Sequence, residues 1–252
     1  MGFWQRFGAP ASVDWCEPNY VHSLYVAEWY NTLSSIPIAL LGLLALGWGL
    51  RGAIRKDPRF AFGGLIVAVV GLGSVAFHGT LLRLSQALDE LPMIYSGLTF
   101  LYVVRWRRDG AASARRWWQV GLLAYAAAFT VAYFVLPQYF IFFIITYAVA
   151  VTAIVVQSAR ISWGAEADPL RQRLLTLAAG AYVGGVALLW VPEHILLPCD
   201  HWIQGFQLHA WFHLTSAVGS YAWLVWAVYD RQTVLGRSLQ AVLPVPVLQS
   251  AD

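Results

Sequence analysis

In Gln207-Leu-His-Ala-Trp-Phe-His213, two histidines stand four residues apart at the head of a long apolar run. On a helix, His209 and His213 project from one face, one turn apart. Two imidazoles placed this way form a bidentate platform for zinc, which takes a third protein ligand and keeps an open position when it is catalytic. Ala210 stands where an H-E-x-x-H metalloprotease carries its glutamate, so that motif is absent. The competing reading is a pair of interfacial histidines near lipid headgroups. Polar side chains inside a bilayer are costly, however, and usually mark a site. A third imidazole lies at the end of another apolar run, Gly73-Ser-Val-Ala-Phe-His78, where Ser74 shares the His78 face at i, i+4. Three histidines drawn from two helices at one depth match a catalytic zinc. Ser74 alone reads as a small packing residue between membrane helices.

Asp89 and Glu90 begin the next apolar run. Either they are carboxylates favoured by a helix N-terminus, or one of them is the general base to a metal-activated water. The residues themselves do not choose between the two carboxylates. In Asp14-Trp-Cys-Glu-Pro-Asn-Tyr20, hard oxygen ligands at Asp14, Glu17 and Asn19, with Glu28 further on, either wrap a calcium ion or form a solvated acidic turn. The spacing is not that of an EF-hand loop.

Long apolar elements must position these groups. Of 252 residues 59% are hydrophobic and 12% charged, and the mean hydropathy is +0.60. Soluble domains carry about 25% charged residues, so the composition predicts an all-α polytopic membrane protein. Thirteen Trp and twelve Tyr suit two interfacial aromatic belts. The segments 28–50, 60–80, 88–104, 117–136, 139–159, 174–197 and 207–229 are each close to the ~20 residues that cross a bilayer. They predict a seven-transmembrane helix bundle. Pro137 marks a very short turn between the fourth and fifth. No signal peptide is visible before the first span, which is then expected to do its own targeting. No repeat, low-complexity tract or second domain is visible. The expected division is an exterior segment 1–27, a helical domain 28–230 and a cytoplasmic tail 231–252.

All of the sixteen basic residues except Arg6 and Arg83 fall on one side of this seven-helix map, Arg51, Arg55, Lys56 and Arg237 among them. The positive-inside rule puts that side and the C-terminus in the cytoplasm, with the N-terminus outside. The six histidines (22, 78, 194, 201, 209 and 213) gather on the exterior side. Asp14, Glu17, Glu28, Asp89, Glu90, Glu193, Asp200, Cys16 and Cys199 lie there too. That compartment permits disulfides, and Cys16 and Cys199 are expected to pair.

Five blocks in this order resemble the alkaline ceramidases: D-W-C-E-P-N-Y at 14–20, A-E-W-Y-N-T at 27–32, G-S-V-A-F-H at 73–78, L-D-E-L-P-M-I-Y at 88–95 and H-A-W-F-H at 209–213. These enzymes belong to the superfamily of seven-helix membrane hydrolases that includes the adiponectin receptors. The resemblance runs from about Asp14 to Tyr229. It implies a zinc amidase that splits ceramide into a sphingoid base and a fatty acid. By this resemblance His78, His209 and His213 bind zinc, Asp89 is the catalytic carboxylate and Ser74 helps hold the oxyanion. It also implies a structural or regulatory calcium held by Asp14, Trp15 (through its carbonyl), Glu17, Asn19 and Glu28, and a place for Ser220 in the pocket lining. The implied partner is a ceramide-like membrane lipid, with no nucleic acid and no obligate protein partner, and the implied active site faces the periplasm, extracellular space or lumen.

Two other readings stand beside this one. The first is a hydrolase of another lipid amide or ester. The second is a seven-helix receptor or sensor with a structural metal, which the short basic cytoplasmic loops disfavour. The last long run carries no lysine for a retinal Schiff base.

Overall fold

The computed structural model describes residues 3–49, 57–136 and 139–236. Among them every regular element is helical. The long helices are α1 (Trp29–Gly49), α2 (Pro58–Thr80), α3 (Arg83–Arg105), α4 (Ala112–Val135), α5 (Tyr139–Ser162) and α6 (Pro169–Gly185). A short α7 (His201–Phe206) then leads into α8 (Leu208–Val234). Helix α6 continues beyond Gly185 through two wider π-type segments, Val186–Trp190 and Pro192–Leu196. Five of these helices are long and apolar enough to cross a membrane: α1, α2, α4, α5 and the continuous 169–196 stretch. The other two long helices, α3 and α8, carry Asp89, Glu90, His209 and His213. Of the basic positions assigned to the cytoplasmic side, Arg51, Arg55, Lys56 and Arg237 lie outside the described residues, as do Pro137 and the tail from 237 onward.

Local chemistry accounts for the helix ends. Asp57 caps α2 by accepting from the Arg59 N–H, and Pro58 follows at the first helical position. Asp168 and Pro169 repeat this device at α6, which therefore starts five residues before the apolar run. Helix α2 stops at Leu81, a left-handed residue (φ 51°) whose N–H bonds back to the Phe77 carbonyl. Helix α3 starts two residues later. Asp89 and Glu90 therefore lie nearly two turns inside α3, and no acidic residue occupies its first turn. This corrects the expectation of a dipole-favoured pair at the helix start. Helix α8 runs past Tyr229 to Val234, and Asp230, Arg231 and Gln232 are buried within it.

Helices α1, α2, α3, α5, α6 and α8 pack as a closed ring, with α4 outside it against α3 and α5. The α8 stretch Ala222–Val228 is buried on all sides, as expected of a helix that is apolar all round. At one end of the ring, arginines and carboxylates tie the helices together. Asp230 accepts from Arg107 and pairs with the buried Arg171 at 3.1 Å. Arg231 donates to Asp109 and to the Arg107 carbonyl. The histidines and unpaired carboxylates sit at the other end.

Small residues let backbones touch where the site is built. An added Cβ at Gly71 would lie 2.2 Å from the Ala39 nitrogen, so α1 and α2 are in backbone contact there. At Gly73 the same atom would lie 2.0 Å from the Leu88 carbonyl oxygen. Pro92, four residues after Leu88, has no N–H to offer that carbonyl, so α2 approaches α3 where the helical ladder is open. Gly73→Ala is expected to push the two helices apart at a cost of ~1–3 kcal/mol, read as a lower melting temperature in detergent. An unchanged melting temperature would contradict the close approach.

Candidate metal centre

His78, near the end of α2, meets His209 and His213 from the first two turns of α8. All three are buried, and their donor nitrogens lie within 4.8 Å of one another. Ring centroids are 4.4–5.2 Å apart. The residues around them set which nitrogen is free. The His78 Nδ1 bonds the Glu28 carboxylate, leaving Nε2 as the ligand atom. Glu28 is anchored in turn: its N–H donates to the His78 carbonyl at 3.0 Å, and its carboxylate accepts from the Trp15 N–H at 2.9 Å and the Asn31 amide at 3.2 Å. His213 Nδ1 lies 2.9 Å from Ser34 Oγ and 3.2 Å from Ser35 Oγ. Both hydroxyls donate to the Asn31 carbonyl, so His213 Nδ1 carries the hydrogen and its Nε2 the lone pair. His209 stacks on the Trp15 ring at 3.6 Å, and its Nδ1 is buried without a hydrogen-bond partner. Three buried imidazoles with converging donor nitrogens, two of them oriented through Nδ1, fit a divalent metal.

Beside the histidines the ring encloses a cavity of about 140 Å³. Ser74, Asp89, Glu90, His209, His213 and Ser220 line it, and Ile38, Val67, Phe100, Ile154 and Trp223 contribute to its apolar wall. Glu90 is occupied: Gln86 donates to one oxygen at 2.7 Å and the Tyr133 hydroxyl to the other at 2.6 Å. Asp89 is buried, and among the described residues nothing donates to its carboxylate. Ser74 Oγ lies 2.9 Å from Ser35 Oγ, which ties it to the His213 support.

The N-terminal segment lies across this end of the molecule. Ala11 N–H bonds the Leu81 carbonyl and Arg83 N–H the Ala9 carbonyl, so the segment crosses the α2–α3 turn. The disulfide between Cys16 and Cys199 joins it to the chain before α7. Glu17 caps α1, accepting from the Tyr30 N–H at 2.7 Å and the Asn31 N–H at 2.9 Å. Asp14 and Asn19 are exposed and bonded to each other at 2.9 Å. Burial raises the Glu17 carboxyl above its ordinary value, with the Glu28 charge adding to the rise. No lysine or arginine pairs with Asp14, Glu17 or Glu28 among the described residues. Three carboxylates without a cationic side chain suit a hard cation held by oxygen atoms. Of the remaining histidines, His194 packs among Trp15, Trp190 and Phe140, and His22 against Trp29 and Tyr30.

A sequence profile of the Ceramidase family matches residues 9–245, which takes in every group above. The chain belongs to the ceramidase family. It is similar to alkaline ceramidase 3 of Mus musculus, with 31% identity over 247 residues that cover 93% of this chain and 88% of the relative. Alkaline ceramidase 1 of Homo sapiens is 28% identical over 227 residues, 87% of this chain and 83% of that protein. An alkaline ceramidase of Saccharomyces cerevisiae is 43% identical over a shorter stretch of 86 residues, 34% of this chain and 27% of that one. With its five long apolar helices, this ceramidase-family chain is a multi-pass membrane protein.

Sequence reasoning missed several residues of this ceramidase-family site. Asn31, Ser34 and Ser35 recur on one face of α1 and hold His213, yet in an apolar run they read as ordinary small polar residues. Tyr147 and Tyr182, hydroxyls 2.6 Å apart, both line the cavity from different helices and carry no local signal.

Proposed function

We propose that this chain is a zinc-dependent intramembrane ceramidase that hydrolyses the ceramide amide bond to a sphingoid base and a free fatty acid. The observation that carries the reading is the convergence of three buried histidines beside an apolar cavity into which an unpaired carboxylate, Asp89, is built. The cavity wall suits hydrocarbon chains and the polar end suits an amide. His78, His209 and His213 would hold the zinc, which when bound supplies Lewis acidity toward a carbonyl and acidifies water to a pKa of about 7.

The chain's own residues do the rest. Asp89 takes a proton from the attacking water as its oxygen bonds to the amide carbon, then returns that proton to the departing nitrogen as the C–N bond breaks. Ser74 turns its hydroxyl hydrogen from Ser35 Oγ toward the carbonyl oxygen as negative charge develops there. Asp89 suits the proton role because it has no competing donor, whereas both Glu90 oxygens are held by Gln86 and Tyr133.

A calcium ion held by Asp14, Trp15, Glu17, Asn19 and Glu28 is part of the same reading, supported by three carboxylates that face no lysine or arginine among the described residues. So is a seven-span arrangement with α3 and α8 also crossing, the N-terminus and active site exterior and the arginine-rich end cytoplasmic. The division into 1–27, 28–230 and 231–252 follows from that topology. Asp89→Asn is expected to lower turnover of ceramide ~10²–10⁴-fold with the protein folded, while Glu90→Gln stays within tenfold of the parent. Equal losses in the two variants would contradict the assignment.

A further inference from the structure

Two of the three histidines have a protein partner at Nδ1, and His209 has none. One carboxylate oxygen in the same region is also buried without a partner: Glu193 Oε2, on the π-type extension of α6. Glu193 is 5% exposed. Its Oε1 accepts from the N–H of Cys16, the residue after the Trp15 that stacks on His209, at 3.2 Å, and the carboxylate lies toward the main-chain N–H of His209 without bonding it. That N–H belongs to the first turn of α8, whose N-cap residue Gln207 supplies no side-chain cap. Glu193 therefore stands at the open N-terminus of the helix that carries two of the histidines.

Side chains on a helix lean toward its N-terminus, and Nδ1 is the ring nitrogen nearer its own main chain. A carboxylate placed toward the His209 N–H from that side lies on the side toward which the His209 imidazole leans. Trp15 stacks on the imidazole face and limits its tilt.

We infer that Glu193 is the positioning residue for His209: its free oxygen, not bonded to the ring in this structure, closes on His209 Nδ1–H when the metal is held and fixes the tautomer that presents Nε2 to it. This rests on the zinc reading above. All three ligands then have a partner behind them, a carboxylate for His78 and His209 and hydroxyls for His213. The π-type widening of α6 has a consequence here, because it ends in the turn that carries Glu193 to α8. The disulfide at Cys199, six residues on, holds the Cys16 N–H against the other carboxylate oxygen.

The test is metal retention in purified protein, read by zinc release to a competing chelator and by the visible spectrum of the cobalt-substituted form. Glu193→Gln keeps the shape and can still accept from one N–H, but its amide nitrogen cannot accept from the imidazole. It is expected to release zinc ~10-fold faster, and Glu193→Ala up to ~100-fold faster, with an altered cobalt spectrum in both. Gly64→Ala, where an added Cβ would meet the Leu46 nitrogen at 2.4 Å about 21 Å along α2 from His78, serves as a control that loses stability and keeps parental release. If Glu193→Ala does not accumulate, Glu193→Gln alone decides. Parental zinc release and cobalt spectrum in Glu193→Gln, whatever its melting temperature, would overturn the inference and leave Glu193 as a helix cap only. A parent protein that binds no zinc would instead overturn the metal centre, and the inference with it.

Discussion

His213→Ala is expected to abolish ceramide hydrolysis, lowering turnover by at least ~10³-fold, while the protein remains folded. Lewis-acid stabilisation of a developing charge is worth several kcal/mol, and each ~1.4 kcal/mol is tenfold in rate. The fold survives for a specific reason. The Ser34 and Ser35 hydroxyls that support His213 already donate to the Asn31 carbonyl, so truncating the imidazole strands no donor there. The vacated space adjoins the cavity. The measurement is fatty-acid release together with a melting curve and bound-metal analysis on the same preparation. Substantial turnover in a variant that has lost its metal would contradict the catalytic scheme.

Glu28→Ala is expected to harm both halves of the site at once. Its carboxylate holds His78 Nδ1, the Trp15 N–H and the Asn31 amide, and it belongs to the acidic group proposed for calcium. Loss of such a partner behind a metal-bound histidine typically costs 10–100-fold in metal affinity or activity. The stranded donors cost ~1–3 kcal/mol each, so the melting temperature should fall by about 5 °C or more. Calcium should raise the melting temperature of the parent in a concentration-dependent way and have little effect on Glu28→Ala. A variant with parental zinc retention and the parental response to calcium would show that Glu28 links neither site.

Much of the candidate site is legible in the sequence because its histidines sit at helical spacing within apolar runs. His209 and His213 announce a shared face, and His78 falls at a matching depth. The supporting residues are a different matter. Asp89 and Glu90 are neighbours, so only packing tells them apart, and it does so through Tyr133 of α4, 43 residues away. The partner of His78 lies 50 residues upstream. Helix starts depart from the apolar runs for related reasons. Leu81 and Gln207 adopt left-handed backbone without being glycine, so the break before α3 carries no turn signal. At α6 the Asp168-Pro169 cap starts the helix five residues before the apolar run that begins at Leu174, and hydropathy marks only the run. The polar residues that build the site also lower the hydropathy of α3 and α8, which is why five helices and not seven qualify as spans on length and composition.

The most direct test of the central claim is fatty-acid release from ceramide, beside a panel of other lipid amides and esters, by purified protein before metal removal, after chelation and after zinc is restored. The expected result is ceramide cleavage that disappears with the metal and returns with zinc. Undiminished cleavage by metal-free protein, or stoichiometric zinc with no turnover of any lipid in the panel, would contradict it.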